Sequence, residues 1–133
     1  MTIEVGWLDQ HQTIIHYHFD GPWTWEDFYP AYDKAIAMER AAGHRVDVIL
    51  DVRKSSRMPA DLLPHIKQIT DQRPANLGMC IVVIHSATAR TLFTVACRFD
   101  PRFKRFYALV ETPEQARRII AESRLSQMRT EQV

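Results

Sequence analysis

The chain has 133 residues, close to the commonest size of a single domain, and with 46% hydrophobic and 25% charged residues it is typical of a globular protein rather than a disordered, collagen-like or membrane one. Its 17 lysines and arginines nearly balance its 16 aspartates and glutamates, which argues against a nucleic-acid partner. The longest apolar run, residues 79–84, is far shorter than the roughly 20 residues of a membrane span, so we expect no membrane-spanning segment.

The first twenty residues predict two strands. Residues 3–7 and 14–19 alternate between apolar and polar side chains, the period of a half-buried strand. The polar link at residues 9–12 is short enough for a hairpin, which makes the two strands antiparallel. If the first strand leaves an edge exposed, it can pair with a second copy, so we expect a weak homodimer. Because the start lacks the basic and apolar regions of a signal peptide, we expect a cytoplasmic location.

A break at residues 20–22 precedes the first predicted helix. Thr24 followed by Asp27 makes a plausible start, and Gly43 is a suitable residue just past the end. Pro30 lacks a backbone N–H, so the helix is expected either to begin near Asp27 or to bend at the proline. One face of this helix combines six apolar or aromatic residues with a final polar one: Trp25, Phe28, Tyr29, Tyr32, Ala35, Ile36 and Glu39.

Strands and helices then alternate along the chain. Residues 46–50, 77–85 and 105–110 are predicted strands. A second helix is predicted between the first two of these strands, with a start as late as Asp61. Ser86 caps a third helix, and Thr112 with Gln115 completes a capping box for the last one. The order ββαβαβαβα predicts a single α/β domain over residues 1–125, with a five-stranded, mixed but mostly parallel sheet and about four flanking helices. Residues 126–133 are predicted to be a frayed polar tail.

Motifs for cofactors and metals are missing from the sequence. The four glycines are too far apart for a dinucleotide or phosphate-binding loop, so no cofactor is expected. His16 and His18 point to the same face of a strand and are capable of binding a metal, but no further ligand is placed near them. We interpret them as ordinary polar residues of a sheet face, with no metal.

Two polar residues stand at the ends of predicted strands. Asp51 and His85 lie at the carboxyl ends of the third and fourth strands, where open α/β sheets place ligand sites. They are the candidates for a strand-end pocket, and as a pair they are able to transfer protons in a small enzyme. The favoured interpretation is that both cap loops and helix starts, and that the chain is not an enzyme.

Aromatic residues are concentrated around the start of the first helix. Such residues at helical spacing usually belong to the core, but Trp23 precedes the helix and is expected to be partly exposed. Trp23, Trp25 and Tyr29 are therefore candidates for a surface that binds an apolar ligand or a partner. An alternative function follows from this cluster: a carrier or sensor of an apolar small molecule or lipid, with Sec14-like character, that uses Trp23, Trp25, Phe28 and Tyr32.

Several segments, taken in order, resemble the STAS family, the SpoIIAA-like anti-sigma-factor antagonists. They are residues 15–21 (IHYHFDG), 23–28 (WTWEDF), 48–52 (VILDV), 106–110 (FYALV) and 112–116 (TPEQA), and the resemblance covers about residues 2–124. It implies a SpoIIAA-like fold and a non-enzymatic regulatory or adaptor domain that acts by binding a protein partner.

The resemblance also makes Ser55 and Ser56 candidate phosphoacceptors. In switching members of the family, a serine before the second helix is phosphorylated within an Asp-Ser-Ser/Thr-Gly pattern. Here the serines lie between Lys54 and Arg57, without the preceding aspartate or the following glycine. We therefore expect both serines to be structural, as helix caps or loop residues.

Overall fold

The computed structural model describes residues 2–55 and 58–131. Over these residues the chain forms one five-stranded sheet with five helices. The elements in chain order are β1 (Thr2–Trp7), β2 (Ile14–Asp20), α1 (Trp25–Ala42), β3 (Val46–Lys54), α2 (Leu62–Asp71), β4 (Leu77–Val83), α3 (Ala87–Phe99), α4 (Pro101–Phe106), β5 (Tyr107–Val110) and α5 (Pro113–Glu131).

The strands lie in the sheet in the order in which they occur in the chain, β1-β2-β3-β4-β5. β1 is antiparallel to β2, and every later pair is parallel. The prediction of a mixed, mostly parallel α/β sheet is therefore confirmed. β1 is an edge strand, and Lys34 on α1 donates a hydrogen bond of 3.0 Å to the backbone carbonyl of Val5 in that strand.

The two faces of the sheet are covered differently. Because each parallel connection moves one strand further in the same direction, its helix returns over the same face. Side chains of α1, α2 and α3 accordingly share one apolar cluster with Ile15, Phe19 and Val48 of the sheet. The opposite face contributes Ile49 and Ile81 to a second cluster, which α5 covers. Any cavity between the crossover helices and the sheet therefore lies on the first face.

The start of α1 follows the capping prediction. Thr24 and Asp27 form a capping box, with the Asp27 N–H donating to the Thr24 hydroxyl at 3.2 Å and the Thr24 N–H donating to the Asp27 carboxylate at 2.9 Å. The helix begins at Trp25, so the expectation of a start near Asp27 is wrong. Pro30 lies inside the helix, where the cap and the packed aromatic side chains outweigh its missing donor.

The region after α3 differs from the sequence prediction. Residues 101–106 form the additional helix α4. The described part of the chain therefore has five helices rather than the expected four. Asp100 accepts a hydrogen bond from the Arg102 N–H, and Pro101 occupies the first helical position. These two residues end α3 and also start a new helix, because Phe103 can then be buried. β5 consequently begins at Tyr107 rather than at Arg105.

α5 is anchored to the sheet through a buried carboxylate. Asp47 on β3 is 0% exposed; it accepts hydrogen bonds from the Met79 N–H at 2.7 Å, from Arg45 at 2.8 Å and from Arg124 of α5 at 2.8 Å. The helix continues to Glu131 and so includes most of the residues for which we expected a frayed tail. None of the helices in residues 2–55 and 58–131 is long and apolar enough to cross a membrane.

Candidate functional site

Helix α2 is poorly packed against the face of the sheet that it shares with α1 and α3. All ten of its residues are described, and the one that is fully buried among them is Thr70. Its apolar residues Leu62 and Ile66 are half-buried, and Leu63 is 40% exposed. An amphipathic helix normally buries this face, so the space beneath α2 is not filled by the protein itself.

The beginning of α2 is tied to α1 by aromatic and polar contacts. The indole N–H of Trp25 donates to the carbonyl of Ala60 at 2.8 Å, just before α2. The Trp25 ring also stacks on His65, with 3.9 Å between ring centroids. Nδ1 of His65 lies 2.6 Å from the Tyr29 hydroxyl. These contacts fix the first turns of α2 without filling the space beneath its middle.

The end of α2 is tied to the sheet by a second set of polar contacts. The Thr70 hydroxyl lies 2.7 Å from the Tyr107 hydroxyl on β5. Just after the helix, the Arg73 guanidinium donates to the carbonyl of Gly78 at 2.6 Å and lies over the Phe106 ring, 3.5 Å from its centroid. α2 is therefore held at both ends.

A cavity of about 540 Å³ lies beside α2, between it, α3 and strands β4 and β5. Its walls are largely aliphatic and aromatic, and its polar groups come from Asp61, Ser86, Thr88 and Tyr107. The apolar walls include Leu62, Ile66, Val82, Ile84, Phe93 and, from α4, Phe103. We call this space the outer cavity.

A second cavity, of about 140 Å³, lies between α1, α2 and the sheet. We call it the inner cavity. It shares Met58, Leu62, Ile66, Val82 and Tyr107 with the outer cavity. Side chains of α2, β4 and β5 thus separate the two spaces.

The inner cavity contains a buried acid. Glu39 is 2% exposed, and its Oε2 atom has no hydrogen-bond partner. Burial raises the pKa of Glu39 to about 7, against the opposing effect of Arg73 and Arg40. Glu39 was the one polar residue on the apolar face of the first predicted helix, and it lines a mostly apolar space together with Arg73.

The aromatic cluster lies between the helices and the sheet rather than on the surface. Trp23 is 7% exposed, so its expected partial exposure is wrong; its ring packs against Phe19, Trp25 and Phe28. Trp23, Trp25 and Phe28 all line the inner cavity. Tyr29 lies beside it and holds α2 through His65. These aromatic residues are therefore positioned to form cavity walls.

Asp51 and His85 have different hydrogen-bond partners. The Asp51 carboxylate accepts hydrogen bonds from Nε of Arg53 at 2.9 Å and from its Nη2 at 2.7 Å, which lowers the pKa of Asp51 although its burial opposes this. His85 is exposed, and its Nε2 lies 2.9 Å from the carbonyl of Glu111. A carboxylate paired in this way is a weak base, and the two residues bind different partners, Asp51 within β3 and His85 at the end of β5.

His16 and His18 lie on the sheet face opposite the cavities. Their rings stack with centroids 6.3 Å apart, and burial lowers the pKa of His16, which Asp51 opposes. Residues 2–55 and 58–131 contain no group of three or more histidine, cysteine or acidic residues arranged to hold a metal. The pair is thus placed together as predicted.

The loop between β3 and α2 contains the two candidate phosphoacceptors. Ser55 is half-buried, and its backbone N–H donates to the carbonyl of Val52 at 3.0 Å. Ser56 lies outside the described residues. Asp61 rather than a serine is the residue that precedes the first turn of α2, so the role of helix cap does not fall to Ser55.

The cavities are the features that sequence reasoning missed. Apolar spacing on α2 and α3 predicts burial, but it contains no signal for the distance between each helix and the sheet. The aromatic cluster of Trp23, Trp25, Phe28 and Tyr32 pointed to the inner cavity, whereas no residue pointed to the outer one. Comparisons with protein-family models, with curated proteins and with solved structures find no match.

Proposed function

We propose that this protein binds an apolar small molecule between its sheet and helices α2 and α3, as a carrier or sensor of that molecule. The observation that supports this most directly is the outer cavity of about 540 Å³, with its largely apolar lining. Its volume lies within the range of about 300–1,000 Å³ that is typical of small-molecule sites. Its few polar groups are also typical of sites that fix the orientation of a mainly apolar ligand.

The driving force is the removal of apolar surface from water. A close-packed protein interior leaves few voids larger than a water molecule. Water in an apolar cavity lacks hydrogen-bond partners, so a ligand that displaces it gains the free energy of burial, roughly 25 cal/mol for each Å² of apolar surface. A tightly packed version of α2 would bury the same surface without a ligand, and this helix instead leaves it open.

The contacts of α2 also provide a route of entry. His65 and Thr70 hold the helix through polar contacts, whereas its residues Leu62 and Ile66 line the cavities. Local opening of a weakly packed element requires less free energy than global unfolding. A ligand can therefore enter when α2 moves, and closure of α2 then removes it from water.

A cavity-filling substitution tests the proposal. Ala89 on α3 lines the outer cavity, so Ala89→Phe should fill part of it. Ala121 on α5 is exposed, which makes Ala121→Phe the matched control. Native mass spectrometry of the purified protein should detect an apolar ligand, and a ligand at about 100 times its Kd should stabilise the wild type and Ala121→Phe by about 2.7 kcal/mol.

The Ala89→Phe variant should remain folded and lose most of this ligand-dependent stabilisation. The proposal fails if no member of a panel of aliphatic, aromatic and lipid-like molecules stabilises the wild type. It also fails if Ala89→Phe responds to the ligand as strongly as Ala121→Phe does.

A second candidate function is regulation through a protein partner, as the STAS resemblance implies. A specific observation favours it: Leu92, Val95 and Phe99 on α3 are 45%, 40% and 85% exposed. Exposed apolar residues on one helix are typical of protein interfaces. A photo-crosslinking residue in place of Phe99 should yield one discrete adduct in the native cell, which the additional change Val95→Asp should abolish. Diffuse labelling that Val95→Asp leaves unchanged would exclude this interface.

A further inference from the structure

Two buried polar atoms without a hydrogen-bond partner belong to residues that line the inner cavity. Among the described residues, Trp23 Nε1 and Glu39 Oε2 are the buried side-chain nitrogen and oxygen atoms that have no hydrogen-bond partner. Both residues line the inner cavity. Trp23 precedes α1 and Glu39 lies near its end, so the two residues lie towards opposite ends of this helix. Buried polar groups are nearly always paired, so the unpaired carboxylate oxygen of Glu39 indicates a missing partner at its end of the cavity.

The surroundings of Glu39 make its burial costly without a ligand. Tyr17 of β2, Tyr32 of α1 and Cys80 of β4 are close enough for its charge to act on them. Of the two cations that lower the pKa of Glu39, Arg73 has the larger effect. Its guanidinium, however, already donates to the carbonyls of Leu77 and Gly78. A leucine at position 39 would pack against the same neighbours without this cost. The carboxyl group therefore suggests a role in recognition.

We propose that Glu39 binds the hydroxyl head group of an otherwise apolar ligand, whose tail extends from the inner cavity towards the outer one. This inference rests on the proposed function and specifies its ligand as an apolar alcohol. A hydroxyl group both donates and accepts hydrogen bonds, so it can pair with the Glu39 carboxyl in either protonation state. Pairing satisfies the Oε2 atom that the protein itself leaves without a partner.

Charged head groups fit this end of the cavity less well. A carboxylate head would be attracted by Arg73, which also lines the inner cavity, but it would meet the Glu39 carboxylate as a like charge unless a proton is taken up. An ammonium head would pair with Glu39, but it would also lie near Arg73 and Arg40, the two cations that act on that acid. The neutral hydroxyl avoids both repulsions and costs the least desolvation.

The shape of the two cavities fits a ligand that enters head first. The inner cavity, of about 140 Å³, contains the acid, whereas the outer cavity, of about 540 Å³, is larger and mostly apolar. Leu62 and Ile66 of α2 are part of the partition between them. A small polar head at Glu39 and a longer tail past these side chains would occupy both spaces.

A ligand series of one chain length tests the head group: octane, octanol, octanoate and octylamine, each titrated by tryptophan fluorescence or calorimetry. Glu39→Leu removes the proposed partner, Glu39→Gln keeps a hydrogen-bonding side chain, and Glu122→Leu changes an exposed glutamate on α5. Glu39→Leu should weaken octanol binding by about tenfold and leave octane binding unchanged or stronger. Glu39→Gln should stay within about threefold of the wild type for octanol, and Glu122→Leu should alter none of the four affinities.

Three results would overturn the inference, and they are distinguishable from failure of the proposed function. If Glu39→Leu weakens octane and octanol by the same factor, Glu39 does not bind the head group. If octanoate or octylamine binds the wild type most tightly and loses most in Glu39→Leu, the head group is charged. If Glu39→Gln loses as much octanol affinity as Glu39→Leu, a hydrogen bond at this position is not what matters. If none of the four molecules binds the wild type, the proposed function itself fails.

Discussion

Glu39→Gln should change how the stability of the unliganded protein depends on pH. Burial raises the pKa of Glu39 from 4.5 to about 7, so between these values the folded protein holds the Glu39 proton more tightly than the unfolded chain does. The proton on Glu39 therefore contributes fully to the free energy of unfolding of the wild type below about pH 4.5, and this contribution is lost as the pH rises through about 7. Glutamine stays neutral throughout and has a similar shape.

The size of the effect follows from the same pKa difference. One pKa unit corresponds to about 1.4 kcal/mol, so the difference between 4.5 and about 7 amounts to about 3 kcal/mol. Because part of the change has already occurred at about pH 5, the stability of Glu39→Gln relative to the wild type should rise by about 2–3 kcal/mol between about pH 5 and about pH 8. The variant should be the more stable protein at the higher pH.

Urea unfolding at constant ionic strength, followed by circular dichroism, measures this difference. Glu122→Gln, at an exposed position of α5, is the control and should follow the wild type at both pH values. Subtracting the unfolding free energy of each variant from that of the wild type removes the contributions of the other titrating groups, including Tyr17 and Arg73 near Glu39. If the gap between wild type and Glu39→Gln is the same at both pH values, Glu39 is not buried as an uncompensated acid and this reasoning is refuted.

His65→Ala removes the contacts with Trp25 and Tyr29 and should raise the ligand dissociation rate severalfold in stopped-flow fluorescence; an unchanged rate would show that α2 is not a lid. Arg124→Met leaves the buried Asp47 with one arginine fewer and should destabilise the protein by about 2 kcal/mol in urea. The exposed Arg129→Met should change little, and equal losses would contradict the anchoring role. Light scattering should detect weak dimers through edge strand β1, and a monomer alone at micromolar concentration would end that expectation.

Local signals in the sequence were sufficient for most of the fold. The capping residues Thr24 and Asp27 specify the start of α1, because a side-chain cap depends on neighbouring residues alone. The short hairpin link and the later alternation of strands and helices specify one antiparallel and three parallel pairs. These features depend on chain length and spacing, and both are visible in the sequence.

The remaining features depend on distances between elements. Asp100 and Pro101 are suited both to ending one helix and to beginning another, and the burial of Phe103 favours the second helix that the sequence prediction left out. Leu62 and Ile66 have the spacing of core residues, yet they line an open space because α2 is held near its ends. Trp23 precedes a helix, as exposed residues often do, but Phe19 and Phe28 enclose it. Pattern alone does not contain this tertiary information.

The buried Asp47 gives the two faces of the sheet different resistance to amide hydrogen exchange. Undocking α5 would remove Arg124 from a carboxylate that is 0% exposed, so α5 should open together with β3 and β4, near the global unfolding free energy. α2 has no comparable buried charge, and its amides should exchange through a smaller, local opening. We therefore expect exchange to divide the sheet into two cooperative units: a rigid half built on Asp47, and a half around α2 that opens locally while the rest of the chain stays folded.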